Sequence, residues 1–114
     1  GQHYPPDWFP PLPLMRNDEV LETNPDESKL MARYTEESLR FIRENRRQPF
    51  FLYLPHFAVH TPIEGKPDKV RKYDALANPQ NPQNYGEYAA MIESVDESVG
   101  RILNTLEQQG VADN

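Results

Sequence analysis

No cysteine occurs among the 114 residues. Disulfides, thiolate metal sites and a cysteine nucleophile are therefore excluded within the chain. Glycine is scarce, at five residues, and no glycine-rich phosphate loop is formed from them. Positive charge is short as well. Twelve Lys and Arg against eighteen Asp and Glu leave a net charge of -6, so there is no general basic footprint for nucleic acid. The acidic balance argues mainly for solubility. No apolar run approaches the ~20 residues of a membrane span. No signal peptide is visible, so a signal for export, if there is one, lies outside this stretch. Hydrophobic residues make up 37%, against roughly 45–50% in globular domains on a count that adds Gly and omits Tyr. The core available is modest, and the length allows one domain at most.

Proline is what the sequence has in excess, with 12 residues, about twice the usual ~5%. Five fall between Pro5 and Pro13, none between Asp26 and Gln48, and none after Pro82. The two proline-free windows are where long helices can form. Residues 1–23 begin as an extended, polyproline-like arm with Trp8 and Phe9 as aromatic anchors. Such an arm either packs on a larger body or offers a ligand to a proline-recognising domain, and the two aromatics favour packing. Leu12–Met15 and Glu19–Leu21 flank a plausible turn at Arg16-Asn17-Asp18, which predicts a short hairpin.

The first window predicts a helix that starts at Asn24-Pro25-Asp26-Glu27. Asn24 is the expected cap, Pro25 the first helical residue, and Glu27 the partner in a capping box. Leu30, Met31, Tyr34, Leu39, Phe41 and Ile42 form its apolar stripe, opposite Glu36, Glu37, Arg40, Arg43 and Glu44. Arg46 and Arg47 close it in agreement with the helix dipole. The second window predicts a helix over 85–109, with Tyr88, Met91, Ile92, Val95, Val99, Ile102, Leu103 and Leu106 in helical period and Gly110 as its C-cap. Gly100 inside it costs roughly 0.5–1 kcal/mol against Ala, which close packing on another backbone would explain. Asp96 interrupts the apolar lining, and a helix-face or interhelix hydrogen bond explains it better than a metal ligand.

Between the helices lies Pro49-Phe50-Phe51-Leu52-Tyr53-Leu54-Pro55-His56-Phe57-Ala58-Val59-His60-Thr61-Pro62. The run Phe50–Leu54, bounded by two prolines, reads as a buried strand covered on both faces. Ligands of open α/β sheets bind just beyond the carboxyl ends of strands. His60 is therefore the first candidate for catalysis and substrate contact, since histidine can donate to an anionic oxygen or transfer a proton. His56 is a weaker substrate-binding candidate that a loop carbonyl could equally engage. The two are four residues apart in a proline-bounded loop, so helical zinc spacing does not apply. Lys66, Lys69, Arg71 and Lys72 form a small basic cluster that either steers an anionic substrate or is simply solvated; Lys66 is the substrate-binding candidate among them. A short helix is expected near Lys66–Tyr73 and irregular turns over Asn78–Asn84. No carboxylate pair has convincing metal spacing, so no metal ligand is assigned. The order helix, strand, histidine loop, helix reads as an excerpt from a larger α/β layer structure, mostly helical in isolation.

Four stretches in this order resemble the sulfatase family, of the arylsulfatase type in the alkaline phosphatase superfamily. They are Tyr34–Ile42, then Pro49–His56 with Val59–Pro62, then Tyr88–Gly100, and Leu106–Asn114. The resemblance implies that residues 24–114 are part of an alkaline-phosphatase-like α/β/α sandwich, and that the whole protein hydrolyses sulfate esters. It implies a calcium ion and a formylglycine nucleophile made from a C/S-x-P-x-R motif, and an exported location of periplasmic, secreted or lysosomal type. His60 matches the family histidine that contacts the sulfate near the leaving-group oxygen. The departures are large. None of Ser28, Ser38, Ser94 or Ser98 has proline two residues on, and the family's paired N-terminal aspartates are missing. Asp113-Asn114 directly follows the turn at Gly110 and is read as turn rather than as the family's later metal pair. The expectation is an internal segment, inactive alone, whose partners are the rest of a sulfatase domain and a sulfate-ester substrate. Self-association of the isolated segment is also expected, because an unpaired strand edge invites it. Two other readings stay open: a segment of a related phosphate mono- or diester hydrolase, and a non-catalytic helical interaction module. Sulfated sugars, steroids and small aryl or choline esters all remain possible substrates.

Overall fold

A computed structural model describes residues 11–61, 63–76 and 86–113. The expected turns over Asn78–Asn84 and the first ten residues of the arm lie outside the described residues. The elements are strands β1 (Pro13–Arg16) and β2 (Glu19–Thr23), a single 3-10 turn at Glu27–Lys29, and helices α1 (Leu30–Asn45), α2 (Pro67–Asp74) and α3 (Gly86–Gln109). The strands pair antiparallel, with Arg16 opposite Glu19 and an irregularity between Leu14 and Met15. Asn17 takes the left-handed conformation (φ 53°) that the tight turn requires and that asparagine tolerates. Only Leu14 of the hairpin is buried. Ion pairs hold the ribbon to α1: Arg16 to Glu37 at 2.6 Å and Glu22 to Arg33 at 2.5 Å. Pairs this exposed stabilise by about 0–1 kcal/mol each, so they orient the hairpin more than they stabilise it.

The start of α1 differs from the sequence expectation. Asn24 has φ 51°, and it closes the hairpin instead of capping the helix. Its amide Oδ1 accepts from Leu12 N at 3.0 Å, and its own N–H donates to Leu12 O at 2.7 Å. Asp26 caps the 3-10 turn that leads into α1, its Oδ1 accepting from the Ser28 N–H, and Lys29 at the N-cap of α1 itself makes no side-chain cap bond. At the far end Arg46 donates to the Arg43 carbonyl at 2.7 Å. The end of α3 follows the pattern expected of Gly110. With φ 69° it donates to Glu107 O, and Val111 donates to Leu106 O, both at 3.0 Å. These two bonds are the Schellman pair.

The core lies between α1 and α3. Leu30, Met31, Leu39 and Ile42 of α1 are buried with Ala90 and Met91 of α3, and Ile42 is wholly inaccessible. The seam also buries Thr35, Ser38, Ser98 and Thr105, four small polar residues absent from the expected stripes. Small residues let two helices approach, and the hydroxyls of Thr35 and Ser38 are bonded within α1. Thr35 donates to Met31 O at 2.7 Å and Ser38 to Tyr34 O at 2.8 Å. Much of the predicted α3 stripe instead stands open, with Tyr88, Ile92, Val99 and Leu103 exposed. Gly100 is exposed, and nothing lies within 4 Å of where its Cβ would sit. Close packing therefore does not explain it among the described residues. Close approach occurs at Gly65, where a Cβ would come within 2.8 Å of Ala90 Cβ and Val70 Cγ2 and 3.0 Å of the Glu87 carbonyl. Gly65→Ala is expected to lower stability by about 1–3 kcal/mol. A urea midpoint unchanged from the parent would refute that packing.

The run Phe50–Leu54 joins no strand ladder, which corrects the expectation of a strand covered on both faces. Among the described residues the two strands pair with each other alone, and a strand is defined by its partner. The segment nevertheless keeps a period of two in burial. Phe50, Leu52 and Leu54 are half-buried, whereas Phe51 and Tyr53 are 86% and 75% exposed. That alternation is the period of a strand with one packed face. Phe50 meets Phe41 of α1 edge-on at 5.6 Å.

Candidate functional site

The packed face of Phe50–Leu54 delivers the chain to residues 55–61 beside α1 and α3. Phe57 is anchored edge-on against Tyr34 of α1, with ring centroids 6.0 Å apart. His60 N–H donates to Phe57 O at 2.9 Å, closing a four-residue turn. The Ala58–Val59 peptide within it is cis. His60 stands exposed at the end of this turn, and its Nδ1 is 2.7 Å from the Thr61 carbonyl oxygen. A carbonyl can only accept, so Nδ1 carries the proton. The neutral ring therefore presents Nε2 outward with a free lone pair. A second proton on Nε2 turns that atom into a donor.

His56 is placed differently. It is half-buried, and its Nε2 lies 3.0 Å from the Ser98 hydroxyl of α3. Ser98 Oγ is in turn 2.7 Å from Thr35 Oγ1 of α1. The sequence weighed Ser98 only as a nucleophile and gave Thr35 no role. A small polar residue in the middle of a helix's inward face was the available signal.

Half of the expected basic cluster is neutralised across the α2–α3 contact. Lys69 is buried and reaches Glu97 at 2.5 Å and Glu93 at 3.6 Å, while Lys72 reaches Glu93 at 2.6 Å. The hydrogen bond from Lys72 pulls the Glu93 carboxyl down from 4.5 to about 2, helped by one from Tyr73. Hydrogen bonding to Lys69 likewise lowers Glu97. A depressed carboxylate contributes stability that is complete above its ordinary range and is lost on acidification. The Glu93 tether is therefore expected to loosen as pH falls from about 4.5 through about 2. A carbon-detected NMR titration of the Glu93 carboxyl should find its midpoint near 2; an ordinary carboxylate midpoint would contradict the tether. Lys66 precedes α2 and is exposed. It lines a cleft of about 60 Å³ with Glu97, Arg101, Thr35 and Ser98, and its charge acts on Glu97. A second cleft, about 270 Å³, lies between α1 and Leu52. His60 lines neither of these.

Among the described residues no group of three or more His, Asp or Glu side chains could hold a metal ion, and Asp96 is exposed. The described side chains thus offer no cluster of carboxylates that fits a calcium ion. No described helix is long and apolar enough to cross a membrane.

The family model described as Sulfatase matches residues 2–114. Human arylsulfatase H is 33% identical over 101 residues, which cover 89% of this chain and 16% of that protein. Human steryl-sulfatase is 32% identical over 109 residues, 94% of this chain and 17% of that protein. Human N-acetylgalactosamine-6-sulfatase is 37% identical over 90 residues, covering 77% and 15%. The crystal structure of Ps i-CgsB in complex with k-i-k-neocarrahexaose superimposes with a TM-score of 0.71 at 27% identity, over 90% of this chain and 22% of that one. The chain thus spans about a sixth of the length of the curated relatives it matches.

Proposed function

The chain belongs to the sulfatase family, and from that premise we propose that it forms part of a sulfate-ester hydrolase in which His60 meets the sulfate group. The observation that carries this reading is the presentation of His60. An exposed imidazole is locked through Nδ1 at the end of a turn that follows the strand-like run Phe50–Leu54. One ring nitrogen fixes the orientation and the other is free for substrate. Protonated at Nε2, His60 can donate to the bridging oxygen as the ester bond breaks, either stabilising it or handing it the proton. The Nδ1–H bond to Thr61 O keeps the ring aimed through that transfer.

The calcium ion and formylglycine implied by the resemblance would be held by other residues of the whole protein. They would supply the nucleophile and neutralise charge on the sulfate. The 114-residue chain alone is read as inactive. The substrate is any ester whose sulfate can reach His60; nothing in the described clefts selects among sugar, steroid and aryl sulfates. The test is hydrolysis by the full-length protein that carries this segment. An aryl sulfate ester should be cleaved in preference to the matching phosphate monoester and diester. Preference for either phosphate ester would overturn the proposal.

A further inference from the structure

We infer that His56 is a positioning residue for His60, acting through a directed hydrogen-bond relay that ties the histidine turn to the seam between α1 and α3. This rests on the role of His60 proposed above. The relay runs from His56 Nε2 to Ser98 Oγ at 3.0 Å, on to Thr35 Oγ1 at 2.7 Å, and ends at the Met31 carbonyl at 2.7 Å.

Counting protons fixes its direction. Met31 O only accepts, so the Thr35 hydroxyl spends its one proton there. Towards Ser98, Thr35 can then only accept, so the Ser98 hydroxyl donates to it. Ser98 has no second proton, so His56 Nε2–H must donate to Ser98. His56 is therefore protonated at Nε2, whereas neutral His60 is protonated at Nδ1. The two histidines of one loop hold opposite tautomers, each set by its partner. Ser98 and Thr35 are 2% and 3% exposed, and a satisfied chain of hydroxyls in such a setting is stronger than its members taken singly.

The relay holds one side of the turn and Phe57 holds another. His56 is fixed to α3 and through it to α1, while its neighbour Phe57 packs on Tyr34 of α1. His60 is bonded back to Phe57 O. A turn gripped by two adjacent residues on two helices has one orientation, and His60 rides on it. His56 contacts no reacting atom in this account; it acts by aiming His60.

The test uses the full-length protein, release of sulfate from an aryl sulfate ester, and nitrogen-15 NMR of the histidines. His56→Phe and Ser98→Ala should each lower kcat by about 10- to 100-fold, the cost of a misaimed group, with KM little changed. His56→Gln, which keeps an N–H near the Nε2 position, should recover most of the rate. In the wild type the His60 resonances should report a proton on Nδ1 and those of His56 a proton on Nε2. In His56→Phe the single Nδ1-protonated pattern of His60 should be lost. Unchanged kcat in both variants would overturn the inference. So would a fall in kcat with the His60 pattern intact, since His56 would then act on substrate directly. If the wild-type protein cleaves no sulfate ester, the proposed activity fails. The NMR comparison still decides whether His56 holds His60.

Discussion

His60→Ala in the full-length protein should lower kcat by about 10²–10⁴-fold, the usual worth of a positioned proton donor. Stability should change by no more than about 0.5 kcal/mol, as for other exposed positions. The contrast follows from where the side chain stands. Its ring is exposed, and its Nδ1 meets the adjacent Thr61, at 2.7 Å to the carbonyl and 3.5 Å to the hydroxyl, so little packing is lost with it. Its free Nε2 is what an ester oxygen would meet. Steady-state kinetics beside a thermal melt separate the two effects. A rate within twofold of wild type would remove His60 from the chemistry. A large loss of stability would make it a structural residue.

The second large effect is expected in the core. Ile42 is wholly inaccessible at the α1–α3 seam, and the segment that carries both histidines leans on the same two helices through Phe41, Tyr34 and Ser98. Ile42→Ala removes apolar surface and leaves a cavity, at a cost of about 2–5 kcal/mol. The denaturant midpoint should fall accordingly with an unchanged slope. A loss below about 1 kcal/mol would mean that the seam collapses around the gap, or that it is not the core.

The helices were legible because proline fences them and apolar residues recur in helical period between the fences. The Asn17 turn and the Gly110 cap were legible for a related reason: each needs a left-handed residue, and few residue types supply one. What escaped the sequence depended on contacts between distant parts. Asn24 looks like a helix cap until Leu12 claims its side chain, and Asp26 instead caps a 3-10 turn ahead of α1. The α3 stripe was read correctly as apolar, yet periodicity does not say which face meets α1. The small residue Ser98 meets Thr35 of α1, and Ile92, Val99 and Leu103 stay open. The run Phe50–Leu54 has a strand's composition and a strand's alternation in burial, but hydrogen-bond pairing requires a partner that local sequence cannot name. The site divides in the same way. His60 could be singled out because it follows an apolar run and because of the family resemblance. The relay through Ser98 and Thr35 joins residues 63 positions apart; a small polar residue on an inward helix face marks each of them, but nothing local pairs the two.

The most direct measurement is the structure of the full-length protein with a sulfate ester trapped in it, the nucleophile implied by the family resemblance replaced by alanine. His60 Nε2 is predicted to lie within about 2.7–3.1 Å of a sulfate or bridging oxygen, in hydrogen-bond contact, with Nδ1 still on the Thr61 carbonyl. An ester bound elsewhere, or bound with His60 Nε2 facing solvent, would contradict the account.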